Sequence, residues 1–177
     1  MALLPTDTLP ALSACPENAF EIWNIKKRPL DKPLILMGSS SKQLFENVLP
    51  IALDDAYLMA GKYWPGALTM ILPAKGSIVD ALNPGKSTLG MRIPDCGLTI
   101  DLISRSGPLA TTSANIAGDF PCFNETEASN CFPNLPLLGP LPWPRGSGLA
   151  STLILWKDRG CWQVLRSGAV IIEDVKG

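Results

Sequence analysis

Histidine is absent from the sequence, and its absence removes several kinds of site at once. Without an imidazole, the chain cannot assemble a Ser-His or Cys-His nucleophile, and it lacks the commonest protein metal ligand. The 5 cysteines are widely spaced and include no Cys-x-x-Cys pair, so a zinc site would need an unusual ligand set. This pattern favours free thiols in a reducing compartment, and no metal site within the protein is predicted.

A strong charge of one sign and long apolar runs are missing too. The formal net charge is -1, which gives no overall attraction to nucleic acid or to an anionic membrane. Any binding of RNA or nucleotide must then come from a local patch. The first residues lack the basic and apolar regions of a signal peptide, and no apolar run reaches transmembrane length. We therefore expect a cytoplasmic protein with no membrane partner.

The length and composition are those of one globular domain. The chain has 177 residues, of which 46% are hydrophobic and 18% charged, so we expect residues 1–177 to form one domain. The 17 prolines interrupt the chain in many places, and helix and strand patterns alternate between them. This interleaving predicts the α/β class with a mixed sheet. Neither a Walker motif nor G-x-G-x-x-G occurs, so neither a P-loop nor a Rossmann nucleotide site is predicted.

Periodicity and turn residues give approximate bounds for the elements. The predicted strands are Met1–Leu4, Pro33–Met37, Leu68–Leu72, Thr88–Ile93, Pro108–Thr112, and a terminal hairpin of Ser151–Trp156 and Cys161–Leu165. The predicted helices are Pro16–Arg28, one that follows Gly38–Ser41, Asp54–Tyr63, Gly97–Ser106 and one near Glu125–Cys131. The proline-rich stretch from Pro133 to Pro144 is interpreted as a surface loop.

Four polar clusters stand at the edges of apolar elements and could carry chemistry. They are Pro5–Thr8, Lys26–Pro29 with Lys32 and Pro33 beyond, Thr111–Asn115, and Ser151–Thr152 with Arg166–Gly168. Each has an ordinary structural explanation as a turn, a helix terminus or a loop. Together, their cations, hydroxyls and amide suit the binding of a polyphosphate and a polar amino acid.

Five segments carry a more specific signal because they occur in one order along the chain. They are Lys26-x-Arg28-Pro29-x-x-Lys32-Pro33-Leu34, Trp64-Pro65-Gly66-x-Leu68-Thr69, Gly90-x-Arg92-Ile93-Pro94-Asp95, Pro108-Leu109-x-x-Thr112-Ser113-Ala114-Asn115-x-x-Gly118, and Ser151-Thr152 with Leu165-Arg166-x-Gly168-Ala169. Their residues, spacing and order resemble those of the YrdC family, the threonylcarbamoyl-AMP synthases. The resemblance covers essentially the whole chain, and the joint match is far more specific than any single segment.

The resemblance implies a single YrdC-like α/β domain, in which a twisted mixed sheet flanked by helices forms a concave basic cleft. In that cleft ATP with Mg²⁺, L-threonine and bicarbonate would give threonylcarbamoyl-AMP and pyrophosphate, a nucleotidyltransferase reaction. The tRNA threonylcarbamoyl-transfer machinery would then use the product. A carbamate on the amine of threonine is already an anionic nucleophile, so charge neutralisation and in-line positioning suffice without histidine.

The family's pattern also implies a role for individual residues. Lys26 and Arg28 are the expected catalytic residues. The expected nucleotide and phosphate ligands are Lys26, Arg28, Arg92, Ser113, Asn115, Ser151 and Arg166, and the expected substrate ligands are Thr8, Lys32 and Thr111.

One segment departs from the family's pattern. Leu9-Pro10-Ala11-Leu12 stands where the family has Val-Tyr-Gly-Leu, so a proline replaces an aromatic residue and an alanine replaces a glycine. The family's N-terminal helix and strand are also expected to be shortened, and no C-terminal extension is expected. The sequence leaves two alternatives to the synthase. One is a catalytically altered paralogue that binds nucleotide and double-stranded RNA, tRNA or ribosomal particles, and the other is an enzyme that uses another amino acid or carboxylate.

Overall fold

Eight strands build the fold within residues 1–173, the part of the chain that the computed structural model describes. They are β1 Ala2–Leu4, β2 Ala11–Ala14, β3 Ile35–Met37, β4 Leu68–Pro73, β5 Thr88–Arg92, β6 Leu109–Ser113, β7 Thr152–Asp158 and β8 Cys161–Arg166. They form one sheet in the order β1-β2-β6-β3-β5-β4-β7-β8. The pairs β3/β5 and β4/β7 are parallel and the other pairs are antiparallel. The predicted mixed α/β sheet is therefore confirmed.

Six α-helices accompany the sheet in the described residues. They are α1 Phe20–Lys26, α2 Ser41–Phe45, α3 Leu53–Tyr63, α4 Ser77–Leu82, α5 Gly97–Ser106 and α6 Glu125–Cys131. Two of them begin at side-chain caps, since Ser40 accepts from the Gln43 amide before α2 and Asn124 accepts from the Glu127 amide before α6. No helix in residues 1–173 is long and apolar enough to cross a membrane.

Helix α1 buries a side chain that the sequence pattern assigned to a phosphate site. Ala19, Ile22, Trp23 and Lys26 are buried, and their spacing of three, four and seven residues defines one helical face. The helix ends at Lys27, whose φ of 51° is left-handed, ahead of Pro29. Lys26 thus completes the face of α1 that packs into the protein.

The structure corrects several of the predicted bounds. The predicted helix Pro16–Arg28 is divided into a 3₁₀ turn, Pro16–Asn18, and the shorter helix α1. Strand β2 and helix α4 were not predicted. All four residues of β2 are buried, so it lacks the alternation by which a half-buried strand is recognised. Helix α4 has only 6 residues and follows Gly76, whose φ is 95°. The last residues of the predicted domain, 174–177, lie outside the described part.

Candidate active-site cavity

A cavity of about 580 Å³ lies across one face of the sheet. Its lining includes alternate residues of neighbouring strands, such as Ile35 and Met37 of β3 and Thr69 and Ile71 of β4. Side chains two apart on a strand point to the same face, so the cavity lies on the face of the sheet rather than only at the strand ends. Gly90 of β5 also lines the cavity, and a Cβ there would lie 2.7 Å from Ile35 Cδ1. A glycine at this position therefore keeps the centre of the face open.

Eight of the ten residues predicted to form the site line this cavity. They are Thr8, Arg28, Lys32, Arg92, Thr111, Ser113, Ser151 and Arg166. Lys26 and Asn115 are not part of the lining. Lys86 is a further lining cation, and Asp31 is the one carboxylate of the lining within the described part of the chain.

Arg92 is the most restrained of these cations. Its Nε donates to the Gly66 carbonyl at 3.0 Å, Nη1 to Thr8 Oγ1 at 2.8 Å and Nη2 to Asp7 Oδ1 at 2.6 Å. Burial lowers the pKa of Arg92 from its usual value, and the carboxylate of Asp7 opposes that shift. The positive charge of Arg166, which lines the same cavity, acts in the same direction as burial.

Arg166, another cation of the lining, is held by Ser151. Its Nη2 donates to the Ser151 carbonyl at 2.8 Å, and Ser151 Oγ lies 2.8 Å from Thr69 Oγ1. Gly168 permits this arrangement, because a Cβ on it would lie 2.3 Å from the Ala150 carbonyl oxygen and 2.6 Å from the Ser151 carbonyl carbon. The Arg-x-Gly sequence of the terminal strand therefore places a guanidinium and a hydroxyl side by side in the cavity.

Arg28 and Lys32 approach the cavity from the loop that follows α1. Arg28 Nε donates to the Lys32 carbonyl at 3.1 Å, and Arg28 Nη2 to the Pro33 carbonyl at 3.1 Å. Burial lowers the pKa of Arg28, and the negative charge of Asp31 opposes this. Both acceptors are neutral carbonyls, so these hydrogen bonds orient the Arg28 guanidinium without neutralising it.

Lys26 lies behind the cavity wall. It is 1% exposed, and its Nζ donates to the carbonyl oxygens of Ser113 and Asn115 and lies 3.4 Å from Asn115 Oδ1. Burial, and then the positive charge of Arg28, lower the pKa of Lys26 to about 8. Lys26 therefore lies outside the cavity lining, and its role as a phosphate ligand, which the family resemblance implies, stays a prediction.

Several lining residues belong to no motif that the sequence analysis recognised. Asn83 and Lys86 come from the turn between α4 and β5, and Thr88 is the first residue of β5. Asn83 Nδ2 donates to the Thr88 carbonyl at 2.8 Å and so ties this turn to the strand. An exposed lysine and an asparagine in a Pro-Gly turn have no distinctive spacing, so no sequence signal could have selected them.

The variant segment Leu9-Pro10-Ala11 does line the cavity. Pro10 also borders a second cavity of about 230 Å³, whose lining includes Phe123, Trp143 and Arg145. The Pro10 carbonyl accepts from the Ala114 amide at 2.8 Å, which couples this segment to the end of β6. The residue that departs from the family's pattern therefore stands between two cavities.

The donor set suits a magnesium ion that arrives on a nucleotide. No group of three or more acidic, Cys or His residues that could hold a metal occurs among residues 1–173. Magnesium usually keeps water and phosphate ligands and takes only one or two carboxylates from the protein. Asp31, beside Arg28 and Lys32 in the lining, is the carboxylate that could supply one ligand.

A family model described as "Telomere recombination" (Sua5/YciO/YrdC) matches residues 1–168. The chain belongs to this family. Among curated Sua5/YciO/YrdC relatives, the threonylcarbamoyl-AMP synthase of Bacillus subtilis is 40% identical over 122 residues, which cover 64% of this chain and 34% of the relative. That of Photobacterium profundum is 31% identical over 133 residues, which cover 71% of each protein.

Solved structures agree with this assignment. P. abyssi Sua5, as the H234A/Y235A variant, superposes with a TM-score of 0.88 at 28% identity, covering 98% of this chain and 54% of that one. P. abyssi Sua5 complexed with L-threonine gives 0.85 at 27% identity, covering 94% and 50%. E. coli YciO shares the fold, with a TM-score of 0.77 at 24% identity over 98% of this chain and 86% of that one. The chain thus spans about a third to a half of its longer relatives and most of the shorter ones.

Proposed function

We propose that this protein is a threonylcarbamoyl-AMP synthase, a nucleotidyltransferase that joins L-threonine, bicarbonate and ATP. One observation carries the proposal: a single cavity brings Arg28, Arg92 and Arg166 together with the hydroxyls of Thr8 and Ser151. Cations in a partly desolvated site are suited to neutralise a triphosphate, and fixed hydroxyls are suited to orient a polar amino acid. The curated relatives that carry this name support the same reaction.

The bonds of the proposed reaction can be followed atom by atom. The amine of threonine and bicarbonate give a carbamate and water. A carbamate oxygen then attacks the α-phosphorus of ATP, the new O–P bond forms, and the bond to pyrophosphate breaks. Charge builds up on the leaving pyrophosphate, so cations of the cavity lining are suited to stabilise it, and Arg28 and Lys32 belong to that lining.

Magnesium would enter as the counter-ion of ATP and neutralise phosphate charge. The chain's own part is to bind and orient: Arg92 and Arg166 for phosphate, Ser113 and Ser151 for the nucleotide, and Thr8 and Thr111 for the amino acid. The product would pass in the cytoplasm to the machinery that modifies tRNA to threonylcarbamoyladenosine. A repurposed cleft that binds double-stranded RNA or tRNA without this chemistry is the competing function.

The test is pyrophosphate release from ATP and Mg²⁺, measured with and without L-threonine and bicarbonate. The synthase predicts release that needs both, that is lost in Arg28→Gln, and that is unchanged in Lys42→Met, which removes an exposed lysine of α2 that is not part of the lining. Release independent of threonine would overturn the proposal. Salt-dependent tRNA binding without release would also overturn it and support the competing function.

A further inference from the structure

Lys26 is a buried ammonium that interacts with main-chain carbonyls. Its Nζ donates to the carbonyl oxygens of Ser113 and Asn115, and its own carbonyl accepts from the Ala117 amide at 3.2 Å. The side chain and the backbone of Lys26 therefore both hydrogen-bond to the segment that leaves β6. Within residues 1–173, no carboxylate forms an ion pair with Lys26.

The energetics of this arrangement require the hydrogen bonds. A buried charge is costly unless its donors are satisfied, and an ammonium has three N–H groups. Ser113 O, Asn115 O and Asn115 Oδ1 provide three acceptors around Nζ. An apolar side chain of similar length would fill the same face of α1 without desolvating a charge, but it would remove the ammonium from all three acceptors. Ser113 O would keep the Asn115 amide and Asn115 Oδ1 the Ser113 hydroxyl, so the main loss would fall on the Asn115 carbonyl.

The segment that Lys26 holds begins at Ser113, which lines the cavity. Ser113 Oγ, which belongs to the lining, donates to Asn115 Oδ1 at 2.6 Å. Asn115 Nδ2 donates to the Ile116 carbonyl at 3.0 Å and to the Asp119 carbonyl at 2.9 Å. Lys26 thus fixes the backbone on both sides of Ala114, and Asn115 fixes the direction of the Ser113 hydroxyl.

We propose that Lys26 is a positioning residue, which sets the place and direction of Ser113 in the cavity without contacting the phosphates itself. The inference deepens the proposed function and rests on it for its catalytic consequence. The structural consequence, a segment 113–119 held in place by Lys26, is independent of any reaction. The two consequences can therefore be tested separately.

The structural test is hydrogen exchange of the amides of residues 114–119, measured without any ligand in the wild type, Lys26→Met and Lys42→Met. We expect Lys26→Met to speed exchange in this segment about 10- to 100-fold, since buried hydrogen bonds to a charged group are lost, while Lys42→Met leaves it unchanged. Unchanged exchange in Lys26→Met would overturn the proposal even if the protein proves to be no synthase. If Lys26→Met does not fold, Asn115→Asp provides the comparison, because it keeps the side-chain acceptor of the Lys26 ammonium and removes only the Nδ2 donor to the Ile116 and Asp119 carbonyls. Exchange as fast in Asn115→Asp as in an unfolded segment would show that the Asn115 amide, and not Lys26, holds residues 114–119, and would overturn the proposal.

The functional test is a double-mutant cycle on pyrophosphate release. If Lys26 acts through Ser113, Lys26→Met should lower kcat/KM about 10- to 100-fold and lower it little further in the Ser113→Ala background. The losses in kcat/KM caused by Lys26→Met and Arg28→Gln should be closer to additive, and Lys26→Met should change the KM for ATP less than Arg28→Gln does.

The conservative variant Lys26→Arg separates positioning from phosphate contact. It should lower kcat/KM as much as Lys26→Met does, because a guanidinium does not fit the place of a compact ammonium. Full activity in Lys26→Arg, with additive losses toward Ser113→Ala, would instead assign a direct phosphate contact.

Discussion

Arg92 and Asp7 form an ion pair at 2.6 Å, in which the side chains are only 6% and 16% exposed. The pair joins the middle of the sheet to the turn that carries Thr8, because Arg92 also donates to the Thr8 hydroxyl. A cation so fully engaged is fixed in direction before any ligand arrives, which is the preorganisation that an anion site needs.

Removal of Asp7 should therefore leave a buried guanidinium without its partner. We expect Asp7→Ala to lower the free energy of unfolding by about 3 kcal/mol, as measured by urea denaturation. The control is Asp101→Ala, which breaks an exposed pair with Arg105 on α5 and should cost less than about 0.5 kcal/mol. Equal losses in the two variants would show that the Arg92 pair has no special role.

Gly168 should tolerate no side chain. A Cβ there would meet the Ala150 and Ser151 main chain, so Gly168→Ala should displace Ser151 and destabilise the fold by about 1–3 kcal/mol. Gly61, on α3, is the control, because a Cβ there meets nothing within 4 Å and Gly61→Ala should stabilise the helix by about 0.5–1 kcal/mol. Thermal unfolding of both variants checks this, and an unchanged Tm in Gly168→Ala would contradict the close packing.

The titration of Lys26 should appear in the pH dependence of stability. Its folded pKa of about 8 lies below the ordinary 10.5, so above pH 8 the unfolded chain binds more protons and stability rises with pH. The charged and titratable groups that act on Lys26 are Arg28, Cys122 and Cys131. Burial is the main cause that raises the pKa of Cys122 from its ordinary value of 9 to about 12, so this thiol makes stability fall with pH, but only above pH 9. The free energy of unfolding of the wild type relative to Lys26→Met should therefore rise between pH 8 and 9. Parallel curves for the two proteins would refute the shift.

Pro10 should limit the affinity for threonine. A tyrosine at this position of the lining would add an aromatic wall, and we expect Pro10→Tyr to tighten threonine binding about 2- to 10-fold, as measured by calorimetry. Pro10→Ala is the matched control, because it frees the backbone without adding a ring. A folded Pro10→Tyr with unchanged affinity would remove this residue from the amino-acid pocket.

The sequence predicts most of the cavity lining, while the roles of the individual residues stay predictions. Motif order places eight of ten residues in the cavity, because the motifs follow strands that share one face of the sheet. The burial of Lys26 could have been predicted from its phase with Ala19, Ile22 and Trp23, but the family resemblance implied a phosphate ligand in the cleft. Asn83 and Lys86 could not have been found, since only the folded turn brings them to the cavity. Strand β2 was missed because burial on both faces removes alternation.

The most direct test of the central claim is the identity of the product. Purified protein would be incubated with ATP, Mg²⁺, L-threonine and isotope-labelled bicarbonate, and the nucleotides would be analysed by mass spectrometry. The account predicts an adenylate that contains both threonine and the labelled carbon, and that is absent from the Arg28→Gln reaction. An adenylate without the label, or AMP and pyrophosphate formed equally well without threonine, would contradict it.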